Sequence, residues 1–330
     1  MSMKMSKTKK IILAAVMLAL AACLVYFAVS LDNDGVIHGH GSSPTREMNE
    51  PEYLHIRYNN RNYTFNPELK TILFIGIDNL GEVESSKVYL NDGQADFLML
   101  AVINETQKTY SLLHVNRDTM TDVQILGLQG KVAGHDVMQI ALAHTYGKGL
   151  EDSCKNTVRA VSDLLSGIGI DYYISMNMDG VAVLNDSVGG VDVEVLDDFA
   201  DVPELKKGET VHLTGDLALT YVRGRMSTGK GTNTGRMERQ RQYIGEFLKK
   251  YDSLNKENAL LSAFEDINEY VVTNMIINTL SDLGELLRDY TFEGILTVEG
   301  TSKAGSEFME FYADEKALAK QVVDIFYVQD

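Results

Sequence analysis

Thr71 to Asp78 reads TILFIGID, six apolar or β-branched residues around one glycine, closed by a carboxylate. A short apolar run of this kind forms a buried strand. Its C-terminal end delivers Asp78 to the edge where open α/β sheets bind ligands. Downstream, Ala95 to Ile103 and Thr109 to Val115 predict two more strands, joined by the turn NETQK. His114 falls just before the end of the third strand, and Arg117 and Asp118 fall just past it. Residues 138–166 are predicted to be helical in two pieces, broken near Gly147-Lys148-Gly149. Ile170 to Met176 returns to strand, and the helix after it stops at Gly189-Gly190. Val191, Val193 and Val195 then alternate with Asp192 and Glu194, a strand with one wet face. Thr214 caps a short helix through Tyr221, with Asp216 in its first turn. A second helix runs from near Asn233 to about Tyr251, followed by helical stretches near 258–288 and 313–328 and a strand near 293–298. Upstream of Thr71, YLHIRYNNRNYTFN alternates around Asn59-Asn60, a β-hairpin signal. Helices interleaved with strands predict one α/β domain over residues 67–330, a three-layer α/β/α arrangement with a mixed central sheet. Its core is expected at 71–250 and a helical C-terminal part at 251–330.

The N-terminus predicts a different environment. Residues 1–10 carry Lys4, Lys7, Lys9 and Lys10 and no acid, and Ile11 to Leu31 then runs twenty-one residues without a charge. As a helix that run is roughly 31 Å long, enough to cross a bilayer core. Lysines before it and Asp32 and Asp34 after it put the N-terminus inside the cell. The expectation is a cytoplasmic tail (1–10), a transmembrane anchor (11–31), a juxtamembrane linker and hairpin (32–66) and an extracellular domain. A cleaved lipoprotein signal at Leu20-Ala21-Ala22-Cys23 is the competing reading, but the apolar run continues for seven residues past that cysteine. The linker, with His38 and His40, reads as a solvated tether. Cys154 has no partner outside the membrane segment, so no disulfide staples the fold.

The formal charge is -17, and setting aside the four N-terminal lysines leaves -21 on residues 11–330. Nucleic-acid binders are basic over their binding domain, so nucleic acid is not the expected partner. Against this background, five of the eleven arginines fall within nineteen residues: Arg223, Arg225, Arg236, Arg239 and Arg241. Guanidinium presents a rigid fork of donors that matches phosphate oxygens. On a helix of 3.6 residues per turn, Arg236, Arg239, Gln240 and Tyr243 share one sector, overlapping the apolar stripe of Met237, Ile244, Phe247 and Leu248. Arg241 falls to the side and reads as structural. Arg236 also lies in the first helical turn, where free backbone N–H groups favour an anion. Arg223 and Arg225, two apart, point the same way if extended. Asp78 and Asp96 are the complementary half: magnesium is held by one or two carboxylates plus substrate phosphates. A cap or turn role for either aspartate, and a solvated basic face for the arginines, are the plainer alternatives.

Seven segments in order carry a resemblance: TILFIGID, GQADFLMLAVIN, HVNRDTM, QIALAHTYG, IDYYISMNMDGVAVLNDSVGGVDVEV, LTGDLALTYVRGR and GRMERQRQ. Together they resemble the LytR–CpsA–Psr family of cell-wall enzymes from about Thr71 to Lys250, with a further stretch at Val271–Leu287. The resemblance implies a phosphotransferase that moves a teichoic-acid or capsule-like glycopolymer from undecaprenyl pyrophosphate onto peptidoglycan. It implies Asp78 and Asp96 as Mg2+ ligands. Arg117, Arg223, Arg225, Arg236 and Arg239, with Gln240, would grip the pyrophosphate, and Asp78, Asp96, Arg117 and Arg236 would carry catalysis. Three positions depart from the family pattern. Leu80 stands where an arginine is usual after the first aspartate. Gln94 replaces an arginine two residues before the second, and Asn233 replaces an acid three residues before Arg236. His144 reads as a satisfied core histidine. A lipid-pyrophosphate hydrolase and a non-catalytic binder of polyprenyl phosphates are the rival functions for the same site.

Overall fold

The computed structural model describes residues 54–224, 232–253, 267–275 and 290–330. The expected tail, anchor and tether, Arg225 and most of the helical stretch at 258–288 lie outside these residues. Among the described residues no helix is long and apolar enough to cross a membrane.

The hairpin around Asn59-Asn60 forms between β1 (His55–Tyr58) and β2 (Arg61–Phe65). Both asparagines take left-handed φ, 47° and 61°, as a two-residue turn joining right-twisted strands requires. Then come β3 (Leu69–Ile77), β4 (Ala95–Asn104), β5 (Thr109–Val115), the hairpin β6 (Met120–Leu126) and β7 (Val132–Gln139), and a 3-10 turn at Ile140–Thr145. Next are α1 (Glu151–Leu164), β8 (Tyr172–Asn177), α2 (Met178–Ser187), β9 (Val191–Glu194), β10 (Thr210–Leu213), α3 (Gly215–Arg223) and α4 (Asn233–Ser253). The remainder is β11 (Val271–Thr273), β12 (Thr291–Thr297), β13 (Gly300–Ala304), β14 (Met309–Ala313), α5 (Glu315–Phe326) and β15 (Tyr327–Gln329).

The central sheet has the order β11-β8-β3-β4-β5-β12. It is mixed: β3 runs parallel to β8 and β12 to β5, while β3–β4 and β4–β5 are antiparallel. Alternation along β3 and β4 sends Leu73, Ile75, Leu98 and Leu100 to one face, against Val158 and Val161 of α1 and Val322 and Phe326 of α5. Ile72, Phe74, Met99 and Ala101 go to the other, against α2, α3 and α4 through Leu184, Ala218, Tyr221, Tyr243 and Phe247. Helices therefore cover both faces, giving the three layers. A separate three-stranded sheet, β1-β2-β15, joins the described ends.

One expectation fails in its described part at the C-terminal end. The described part of 258–288 is not helical: after a 3-10 turn at Asn268–Tyr270, Val271, Val272 and Thr273 pair antiparallel with β8. Three β-branched residues beside an open sheet edge favour pairing over a helical turn. The tail at 290–330 holds the expected strand as β12 and the expected helix as α5, and adds β13, β14 and β15 to a part read as helical.

One irregularity positions the site. Gly76 pairs with Phe97 but Ile77 pairs with Ala95, so Asp96 is an extra residue in β4. Such a bulge breaks strict alternation: Ala95 packs on the α1 face, while Asp96 and Phe97 both line the cavity on the other. The opposing residue must be small, since a Cβ on Gly76 would meet Phe97 Cβ at 2.9 Å.

Candidate active site

Asp96, aimed by the bulge, sits between two guanidiniums. Its Oδ1 accepts from Arg117 Nη1, and its Oδ2 accepts from Arg236 Nη1 at 2.7 Å. All three are buried, Arg236 to 3% exposure. Arg117 follows β5 in a turn closed by the Asp118 N–H donating to Asn116 Oδ1 (2.9 Å) and the Thr119 N–H donating to Asn116 O (3.0 Å). Arg117 Nη2 donates to Gln94 Oε1 at 2.5 Å, and its Nε lies 3.5 Å from Asp118 Oδ1. Arg236 Nη2 donates to Asn233 Oδ1 at 2.6 Å.

Asp78 lies just beyond β3, anchored by its N–H donating to Gln94 O at 2.9 Å. Its Oδ1 accepts from Arg223 Nη2 at 3.0 Å, a pair open to solvent at the last residue of α3. Arg223, Arg236, Asp96 and Gln240 are the polar rim of one cavity of about 200 Å³ between the sheet and the helices α2 to α4. Its walls are otherwise apolar, among them Phe74, Met99, Ile174, Leu219, Ile244 and Phe247. Gln240 donates from Nε2 to Val222 O at 3.3 Å, and its buried Oε1 has no hydrogen-bond partner among the described residues.

Six of the predicted site residues thus converge: Asp78, Asp96, Arg117, Arg223, Arg236 and Gln240. Arg239 does not join them, although it shares their helical sector. It is 1% exposed, and its fork grips protein instead: Nε donates to Tyr221 O (3.0 Å), Nη2 to Gly224 O, and Nη1 to Asp197 Oδ2 (2.5 Å), over the Phe199 ring. It therefore fixes the end of α3 that carries Arg223. Leu80 is exposed and outside the charged set, whereas Gln94 and Asn233 are inside it. Asn116 and Asp118 carry no sequence signal beyond their turn position, and their roles appear only in three dimensions.

Two buried histidines border the site. Burial, then the fields of Arg241 and Arg236, pushes the His114 pKa down to about 3. His144 is lowered by burial to about 4, against the hydrogen bond between its Nδ1 and Gly93 O at 2.9 Å. The expected core role fits that nitrogen; its Nε2 has no partner among the described residues.

Among the described residues no group of three or more His, Cys, Asp or Glu could hold a metal. Both Asp96 oxygens already accept from arginine. The donor set fits magnesium only in company with a ligand that brings phosphate oxygens, the usual arrangement for that ion.

A charged set at the mouth of an apolar cavity in a three-layer α/β domain has the division of polarity that an amphiphilic ligand requires. The chain belongs to the LytR–CpsA–Psr family, whose model (LytR_cpsA_psr) matches residues 37–323. It is 30% identical over 260 residues to the polyisoprenyl-teichoic acid–peptidoglycan teichoic acid transferase TagU of Bacillus anthracis, covering 77% of this chain and 76% of that one. The TagU of Halalkalibacterium halodurans is 29% identical over 244 residues, 72% of each chain. The crystal structure of B. subtilis TagV aligns with a TM-score of 0.56 at 26% identity, over 78% of this chain and 97% of that one.

Proposed function

We propose that this chain is a phosphotransferase attaching a phosphate-linked glycopolymer, of teichoic-acid or capsule type, to peptidoglycan from an undecaprenyl diphosphate carrier. Membership in a family whose relatives are named for transferring polyisoprenyl-linked teichoic acid to peptidoglycan supports this reading. The observation that carries it is the junction of an apolar cavity with the Arg117–Asp96–Arg236 set. The prenyl chain would lie in the cavity and the diphosphate at its rim. The reading keeps the single-pass anchor expected at 11–31, with the catalytic domain outside the cell, where peptidoglycan lies.

In the transfer, an acceptor hydroxyl oxygen bonds to the polymer-side phosphorus while that phosphorus releases the bridging oxygen. Undecaprenyl phosphate leaves with the bridging oxygen and its electron pair. Arg117, Arg223 and Arg236 would bind the phosphate oxygens and stabilise the charge that develops on them, with Arg225 beside them by family resemblance. Fixed cations of this kind are the main lever in phosphoryl transfer. The proton of the acceptor hydroxyl would pass to solvent at the open mouth of the site, where Asp78 is partly exposed. Asp78 and Asp96 would hold Mg2+ together with the diphosphate, and that ion would neutralise charge on the transferring group. Arg239 would act through its hold on the end of α3.

The test is to incubate the detergent-solubilised full chain with a prenyl-diphosphate-linked polymer, magnesium and peptidoglycan. Wall-bound polymer should appear together with prenyl phosphate, and Asp96→Ala should abolish both. Polymer released to water without attachment would indicate a hydrolase. Binding without turnover would indicate a non-catalytic receptor.

A further inference from the structure

Arg117, Asp96 and Arg236 form a buried row whose two ends are closed by side-chain amides. At one end Gln94 Oε1 accepts from Arg117 Nη2 at 2.5 Å, and at the other Asn233 Oδ1 accepts from Arg236 Nη2 at 2.6 Å. The orientation of Asn233 is fixed by chemistry, because guanidinium donates and never accepts. Its oxygen must face Arg236, and its nitrogen then donates to Asn116 Oδ1 at 2.6 Å. Asn116 Oδ1 also accepts from the Asp118 N–H at 2.9 Å, so two donors converge on that oxygen and hold the Asn116 amide in place.

The ion pairs of this network among the described residues match arginine to aspartate. Arg117, Arg223 and Arg236 are paired with Asp78, Asp96 and Asp118. A carboxylate at position 94 or 233 would offer the same oxygen to the same guanidinium. It would also add one negative charge just where an anionic head must arrive. Repulsion between like charges is weakly screened in a buried site.

We propose that Gln94 and Asn233 are positioning residues that determine the anion affinity of the site. They clamp both arginines onto Asp96 with neutral oxygens, fixing the guanidiniums without cancelling their charge. This deepens the diphosphate reading above and rests on it. The pair also divides structure from charge cleanly: Gln94→Glu keeps shape and acceptor and adds one charge, whereas Gln94→Met keeps bulk and neutrality and removes the acceptor.

The experiment measures binding of farnesyl diphosphate and of inorganic diphosphate to the full chain in detergent, at fixed magnesium and at two salt concentrations. Thermal midpoints are recorded alongside. Gln94→Glu should weaken both ligands tenfold or more while its midpoint stays at or above wild type, and high salt should narrow the gap. Gln94→Met should lose less affinity than Gln94→Glu, and Asn233→Asp should lose affinity as Gln94→Glu does. Wild-type affinity in Gln94→Glu, or an equal loss in Gln94→Met, would overturn the proposal. A wild type that binds neither probe would overturn both this proposal and the substrate reading. A wild type that binds inorganic diphosphate as tightly as farnesyl diphosphate would remove the lipid from that reading, and the order of the variants would still decide the role of the amides.

Discussion

Arg236 and Arg223 illustrate how burial separates two chemically identical side chains. Arg236 is 3% exposed and shares Asp96 with Arg117, whereas the Arg223–Asp78 pair has side chains 45% and 35% exposed. Removing one partner of a buried ion pair costs about 3–5 kcal/mol, and an exposed pair contributes about 0–1 kcal/mol. Arg236→Ala should therefore lower both stability in urea and polymer attachment, failing to restore attachment in a strain lacking its transferases. Arg223→Ala should impair attachment while unfolding within about 1 kcal/mol of wild type. Equal urea midpoints for the two variants would contradict this account. Sequence located these residues because charge clusters stand out in an acidic chain. Their partners were less legible: helical spacing gives the face that Arg239 occupies, and the carbonyls of Tyr221 and Gly224 that it meets are set by packing.

At the scale of elements, the strands that read well were those with a one-body signature. The runs at Thr71–Ile77 and Thr109–Val115 are apolar enough to be buried wherever they pair, and the hairpin at Asn59-Asn60 carries its own turn chemistry. Elements defined by a distant partner were not legible. β11 exists because the edge of β8 is open to it, and in the β13–β14 hairpin β13 is exposed at every position while β14 buries Phe311 alone, so little apolar patterning marks the pair. The bulge at Asp96 is of the same kind, since only the register against β3 reveals it. It yields a prediction at Gly76, where a Cβ would come within 2.9 Å of Phe97 Cβ. Gly76→Ala should destabilise the fold by about 1–3 kcal/mol, as overpacking does, and should turn Asp96 away from its arginines. Calorimetric unfolding and a diphosphate titration check the two parts separately; an unchanged unfolding midpoint would show that the strands absorb the methyl group.

For the molecule as a whole, the two buried histidines link folding to pH. His114 and His144 have pKa values lowered from 6.5 to about 3 and about 4. Between those values and 6.5 the unfolded chain binds protons that the folded chain refuses, so stability rises with pH across that window. The contribution is complete above about pH 6.5 and is lost progressively on acidification. The thermal midpoint should fall from pH 7.5 to pH 5, and the fall should be shallower in a His114→Asn/His144→Asn variant. An equal slope in the variant would assign the acid sensitivity to the carboxylates instead.

The small sheet β1-β2-β15 carries a kinetic consequence. Residues 327–329 supply the strand that flanks β2, and Arg61 and Thr64 bond to Gln329 and Asp330. Synthesis runs from the N- to the C-terminus, so β2 is made early, with one edge bare. That edge stays uncovered until residues 327–329 have been made, so closing this corner follows the synthesis of the whole domain between the two strands.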